Sequence, residues 1–211
     1  MKRALVLVLL GCMVEFGFAQ EFLLKGRAAL TSKDTTAAIA AFEQALKANQ
    51  KPGETHTHLG AIALARGQVA DAVKNLEEAV RIDDDIVDAL RLLGEAYMKN
   101  KNLPGAIVQF KRAVKLAPKN GAVAASYGKA LLASDSTDAA IRELTRAKEY
   151  LPEDPSIYES LGDAFARHNV VPMVIMNYQK AIEYDPSGTS RRIKLANVFE
   201  KNRQYTDAVK E

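Results

Sequence analysis

The chain has 211 residues, 48% of them hydrophobic and 26% charged, a balance that belongs to globular proteins and excludes disorder for most of its length. Aromatics make up 7% and tryptophan is absent, which favours helices packed through small side chains over sheets that want aromatic and β-branched residues. The formal net charge is +3 from 29 bases and 26 acids, or +2 when Lys2, Arg3 and Glu15 are set aside (27 against 25), a near-balance that excludes a dedicated nucleic-acid binder.

At the start of the chain, Lys2 and Arg3 precede an apolar run from Ala4 to Val14, and Gly17, Phe18 and Ala19 give a small-x-small pattern before Gln20. Residues 1–19 therefore read as a secretory signal peptide, the apolar run being well short of the ~20 residues that cross a bilayer as a helix. Export to the periplasm or cell envelope is the expectation. The alternative is a lipid anchor, because Leu9-Leu10-Gly11-Cys12 resembles a bacterial lipobox. Leu10 is bulky for that motif and Met13-Val14 is apolar where polar residues usually follow. Membrane attachment is expected only if Cys12 is lipidated. Since Cys12 is the single cysteine, residues 20–211 have no disulfide, no thiol chemistry and no Cys-zinc site.

From Gln20 onward the chain repeats. Gly26, Gly60, Gly94, Gly128 and Gly162 lie 34 apart, with Ala196 in the next place. Ala45, Ala79, Ala113, Ala147 and Ala181 keep the same spacing, as do Phe42, Leu76, Phe110, Leu144 and Tyr178, and Pro118, Pro152 and Pro186 close three of the repeats. A fixed period of this length is the mark of a stacked array of helical hairpins. In the third repeat Leu90, Leu93, Gly94 and Tyr97 have the i, i+3, i+4, i+7 spacing of one apolar helix face, and Ala106, Ile107, Phe110, Ala113 and Val114 make a second. Glycine and alanine are expected where the paired helices approach most closely. Asp154-Pro155 predicts an N-cap followed by proline at the first helical position, and Pro104 and Pro172 fit the opening turns of second helices.

These ladders, with the closing Asp185-Pro186, resemble the tetratricopeptide-repeat family over the whole of residues 20–211. The resemblance implies an all-α, right-handed solenoid of antiparallel helix pairs. It has five full 34-residue repeats, about 19–52, 53–86, 87–120, 121–154 and 155–188, and a partial sixth at 189–211. Lys25, His56, Ala124 and Arg192 depart from the family, which usually places a bulky apolar residue there. Ala208-Val209 opens a second helix that the sequence does not complete, and no polar capping helix follows. The expectation is a fragment of a longer protein whose uncapped C-terminal end offers a surface for self-association.

Within each repeat, places 4, 7, 8 and 11 of the first helix cluster on one side and places 2, 5, 9, 12 and 13 point nearly opposite. By the family resemblance, that opposite face lines a concave groove for ligands. Its charges are mixed, not a basic stripe for phosphates. The candidate groove residues are Arg91, Glu95, Lys99, Lys129, Glu159, Asp163 and Arg167, while Ala61, Leu64 and Ala65 in the second repeat and Ala122, Ala125, Leu132 and Ala133 in the fourth are apolar. An extended peptide alternating apolar and charged side chains fits such a face. Against a ligand role, Arg91 with Glu95 and Asp163 with Arg167 stand at i, i+4, where they can pair with each other. The Lys and Asn clamp by which some family members hold chaperone tails is not matched.

No Ser-His-Asp set, phosphate-binding glycine loop or catalytic carboxylate pair is present. His56 and His58 point some 200° apart on a helix and do not make a metal pair. Asp83-Asp84-Asp85 lacks the glycine and distal glutamate of an EF-hand loop. The tyrosines fall on the repeat ladders and read as core. The expectation is a non-catalytic scaffold without cofactor or metal, binding a peptide or partner protein in the groove. The alternative makes these repeats the targeting arm of a larger enzyme or transport machine whose active domain lies beyond residue 211.

Overall fold

The structure, a computed structural model, describes residues 20–202. The expected signal segment at 1–19 with Cys12, and the expected start of a second helix in the sixth repeat at Ala208-Val209, lie outside the described residues. Among the described residues the chain is entirely helical. Its eleven helices are α1 (Glu21–Thr31), α2 (Thr35–Lys47), α3 (Pro52–Ala65), α4 (Val69–Ile82), α5 (Val87–Lys99), α6 (Leu103–Leu116), α7 (Gly121–Ala133), α8 (Thr137–Tyr150), α9 (Pro155–Arg167), α10 (Val171–Tyr184) and α11 (Thr189–Lys201). None is long and apolar enough to cross a membrane. The odd-numbered helices are the first helices of their repeats, so the first five repeats contribute two helices each and the sixth its first helix.

The chain divides into two compact units after Asn100. In the N-terminal unit α1 pairs with α2 and α3 with α4, while α5 packs on α4 and α3. In the C-terminal unit α7 pairs with α8 and α9 with α10; α6 packs on α7, α8 on α9, and α11 on α10. Each unit thus repeats one rule, a tight pair whose second helix carries the first helix of the next pair.

Side-chain caps set several helix starts. The carboxylate of Asp34 accepts from the Ala37 N–H at 2.9 Å, Asn102 accepts from Gly105 at 3.1 Å, and Asp154 accepts from Ser156 at 2.8 Å with Pro155 at the first position of α9. Such caps satisfy backbone donors that the helix itself leaves unpaired. The turn inside each pair bends through a left-handed residue, at Lys33, Gly67, Lys101, Asp135 and Asn169, with φ from 56° to 74°. These positions also lie 34 apart, and only one of them is glycine.

The glycine ladder has a more specific cause than close backbones. A Cβ on Gly60 would lie 2.5 Å from the Leu76 side chain, one on Gly128 2.6 Å from Leu144, and one on Gly162 2.5 Å from the Tyr178 ring. Gly26 meets Phe42 in the same way. Each glycine is therefore the seat of the bulky ladder residue of its own pair, and the two ladders are one interaction repeated. Around these seats apolar clusters close the cores. Leu23, Phe42 and Ile62 cluster in the N-terminal unit, and Leu144, Ile157 and Leu161 in the C-terminal unit.

Candidate functional site

Consecutive first helices in each unit meet through a recurring geometry. The residue at place 9 of one helix reaches places 2 and 6 of the next, 27 and 31 residues on. In the N-terminal unit place 9 of α1 is Arg27, whose guanidinium pairs with the Glu54 carboxylate on α3 and donates from Nε to His58 Nε2 at 3.3 Å. Lys51 adds a second cation 3.4 Å from Glu54. The His58 ring stacks on Phe42, centroids 4.9 Å apart and planes 12° from parallel. Burial pushes the His58 pKa down, and the neighbouring Arg27 charge lowers it further against the opposing pull of Asp88; the imidazole is held neutral as an acceptor.

The same face of the N-terminal unit opens into an apolar cavity of about 390 Å³ lined by Leu30, Thr35, Ala61, Ile62, Ala65 and Arg66. Ala61 and Ala65 are the small residues at places 9 and 13 of α3, and their shortness makes the room. On α5, Arg91 donates to Glu95 at 2.8 Å and lies 3.4 Å from Asp88. Lys99 is exposed at the helix end.

In the C-terminal unit the acids on α9 are claimed by α11. Glu159 accepts from Arg191 Nε at 3.0 Å and Lys194 Nζ at 2.8 Å, and Asp163 accepts from Lys194 at 2.9 Å and from the Tyr178 hydroxyl at 2.6 Å. Arg191 also binds the Asp185 carboxylate at 2.5 Å. Burial pushes the Glu159 carboxyl up, but the hydrogen bonds from Lys194 and Arg191 outweigh it and hold the group below its ordinary value. Burial and the bond to Asp163 both push the Tyr178 hydroxyl up. Arg167 is tied to the Leu132 carbonyl at 2.7 Å and to Asp135 at 2.5 Å.

Lys129, at place 9 of α7, meets a different surface. Its ammonium donates to Ser156 Oγ at 3.0 Å, and no carboxylate among the described residues lies within 4.0 Å of it. The side chain is half-buried. Ser160, at place 6 of α9, spends its hydroxyl on the Ser156 carbonyl at 2.8 Å.

The seven sequence-predicted residues thus separate. Arg91 and Glu95 pair with each other. Asp163 and Arg167, which the i, i+4 spacing allows to pair, take other partners on α11 and on α7 with its following turn. Ala125 and Leu132 do not line an open face: they are 6% and 8% exposed, because α9 packs over them through Ile157, Leu161 and Ala164. Leu23, also at place 5, is fully buried against Ile62 for the same reason. Sequence reasoning passed over Arg191 and Lys194, although their spacing from Glu159 and Asp163 by about one repeat was a usable signal, and it read Tyr178 as core without foreseeing its hydroxyl bond to Asp163. His56 bonds Asn75 at 3.0 Å while His58 faces Arg27, so the two histidines have separate partners.

Two family models described as tetratricopeptide repeat match the chain, one over residues 23–85 and 57–121 and the other over 97–162. No curated protein matches. Among solved structures, a thermophilic TPR protein from Thermus thermophilus is similar at 23% identity, with a TM-score of 0.66 over 86% of this chain and 98% of that one. MamA is similar at 24% identity and a TM-score of 0.65, covering 72% of this chain and 89% of its own. YrrB, described as a TPR protein with an unusual peptide-binding site, is 17% identical with a TM-score of 0.65 over 81% of this chain and 88% of its own.

Proposed function

Given that the chain belongs to the tetratricopeptide-repeat family, we propose that it is a non-catalytic scaffold that holds an extended peptide segment of a partner protein on the exposed faces of its first helices. The observation that carries this reading is the cavity beside α3. Its 390 Å³ is at the lower end of the size range of small-molecule pockets, its lining is apolar apart from Thr35 and Arg66, and it is bounded by Leu30 at place 12 of α1 and by Ala61 and Ala65 at places 9 and 13 of α3, with the core residue Ile62 also in its lining. The peptide-binding description of YrrB agrees with such a role. Ion pairs that are already closed, such as Arg91–Glu95 and Asp163–Lys194, shape this face and leave its apolar stretches as the receptive ones.

The test is selection of displayed dodecapeptides on the full chain, followed by anisotropy titration of the winners. Ala61→Phe fills the cavity, and the reading expects a loss of affinity of at least tenfold with the helical circular dichroism unchanged. Equal affinity for the variant removes the cavity from the account. Asp163 is unsuited to the same purpose, because reversing its charge also breaks the bonds to Lys194 and Tyr178.

We also propose export, on the strength of Lys2-Arg3 and the Ala4–Val14 run. Mass spectrometry of the mature N-terminus checks it. A start at Gln20 agrees with a cleaved signal, and a lipidated Cys12 with an anchor.

A further inference from the structure

Lys129 stands out by comparison with its equivalents. At place 9 of α1, Arg27 finds Glu54 at place 2 and His58 at place 6 of the next first helix. At place 9 of α9, Asp163 finds Lys194 at place 6. Both charges are closed off. Lys129 looks across the same geometry at two serines, Ser156 and Ser160, and bonds only the first. It is the place-9 charge that its own fold leaves without a counter-charge, and it is half-buried where water solvates it incompletely.

The donors around it are arranged for an acid. Ser156 Oγ accepts from the Lys129 ammonium, so its own hydroxyl proton is available to a further acceptor. Ser160 is fixed on the Ser156 carbonyl and does not compete for it. The Asp154 cap is engaged by the Ser156 N–H at 2.8 Å. One turn on from Lys129 along α7, Ala133 is exposed, small enough for a backbone to come close. An ammonium and a hydroxyl side by side supply two hydrogen bonds to one carboxylate, one of them charge-assisted.

We propose that Lys129 and Ser156 form the anchor for an Asp or Glu side chain of the bound peptide. The proposal rests on the peptide-holding reading above and adds its specificity: one acidic residue flanked by small or apolar ones. The carboxylate is that of a side chain, since one ammonium and one hydroxyl match one such group.

Peptides selected on the full chain supply the test. Enrichment in Asp or Glu is expected, and replacing that residue by Asn or Gln is expected to weaken binding about tenfold, the worth of a charge-assisted hydrogen bond. Lys129→Gln is expected to lose about the same, and the acid-to-amide penalty is expected to vanish in that variant, a coupling that a merely structural lysine would not produce. Lys129→Arg is expected to retain the preference for acid. Urea unfolding of each variant separates binding from folding. If the selected peptides bind Lys129→Gln as tightly as the parent, or if amidation of the peptide C-terminus abolishes binding while the side-chain swap does not, the anchor is wrong and the scaffold reading stands. If no peptide is selected at all, the scaffold reading fails and the anchor with it.

Discussion

From place 9 of α1, Arg27 faces an acid and a histidine; from place 9 of α7, Lys129 faces hydroxyls; from place 9 of α9, Asp163 faces an ammonium. The N-terminal unit pairs Arg27 with Glu54 and Arg91 with Glu95 and leaves an apolar cavity on the same face. The C-terminal unit locks α11 to α9 with its acids and leaves one cation open on α7. Composition alone makes the two faces look alike, since both carry mixed charge. What distinguishes them is which charges are already spent on a neighbouring helix, and a charge so spent holds the array together before it can hold a ligand.

The largest expected effect breaks both units equally. Gly60→Leu in the N-terminal unit and Gly162→Leu in the C-terminal unit each drive a side chain into the seat of Leu76 or Tyr178. Overpacking of this kind costs about 3 kcal/mol, and urea unfolding is expected to show comparable losses for the two. A much smaller loss in one would mean that its pair can part to make room. The units would then differ in their cores as well as their faces.

A smaller effect separates them. Lys194→Ala leaves Glu159 with Arg191 and Asp163 with the Tyr178 hydroxyl, two half-buried carboxylates each short of one partner. The expected cost is about 1–2 kcal/mol in urea unfolding. Arg91→Ala in the N-terminal unit removes pairs made along a single helix, for which the expected loss is below about 0.5 kcal/mol. Equal costs for the two variants would show that the α9–α11 link is no stronger than an ordinary surface pair.

The fold was legible because the Gly, Ala and bulky ladders are each tied to one packing event, and such events repeat when the geometry repeats. The left-handed turn ladder was not legible. Lys33, Lys101, Asp135 and Asn169 share a conformation with Gly67, but a helix pair imposes that conformation on whatever residue stands there, so residue type carries little signal. The candidate site was read only as a face. Places 5 and 12 were assigned to it from angles on one helix, and Leu23, Ala125 and Leu132 proved to be covered by the next first helix. Lys129 was named with the rest of the face. Its lack of a counter-charge emerges only when places 2 and 6 of the following helix are set against place 9.

The finest discrimination is by pH, in the N-terminal unit. His58 is held against Phe42 with Arg27 from α1, Glu54 on its own helix and Asp88 on α5 as its charged neighbours, and its pKa lies below the ordinary 6.5. With a lowered folded pKa, the unfolded chain takes up the proton first as pH falls. The associated stability is fully present above 6.5 and is lost as pH drops from there toward the folded value. His58→Gln removes that titration, so urea midpoints measured from pH 7.5 down to pH 5 are expected to fall less steeply for the variant than for the parent. Parallel curves would place the histidine in ordinary solvent. Because His58 Nε2 accepts from Arg27, its protonation also turns an acceptor into a like charge beside the guanidinium. Peptide affinity at the neighbouring cavity is therefore expected to shift over the same pH window, while the affinity ratio between the parent and Lys129→Gln is expected to remain unchanged across it.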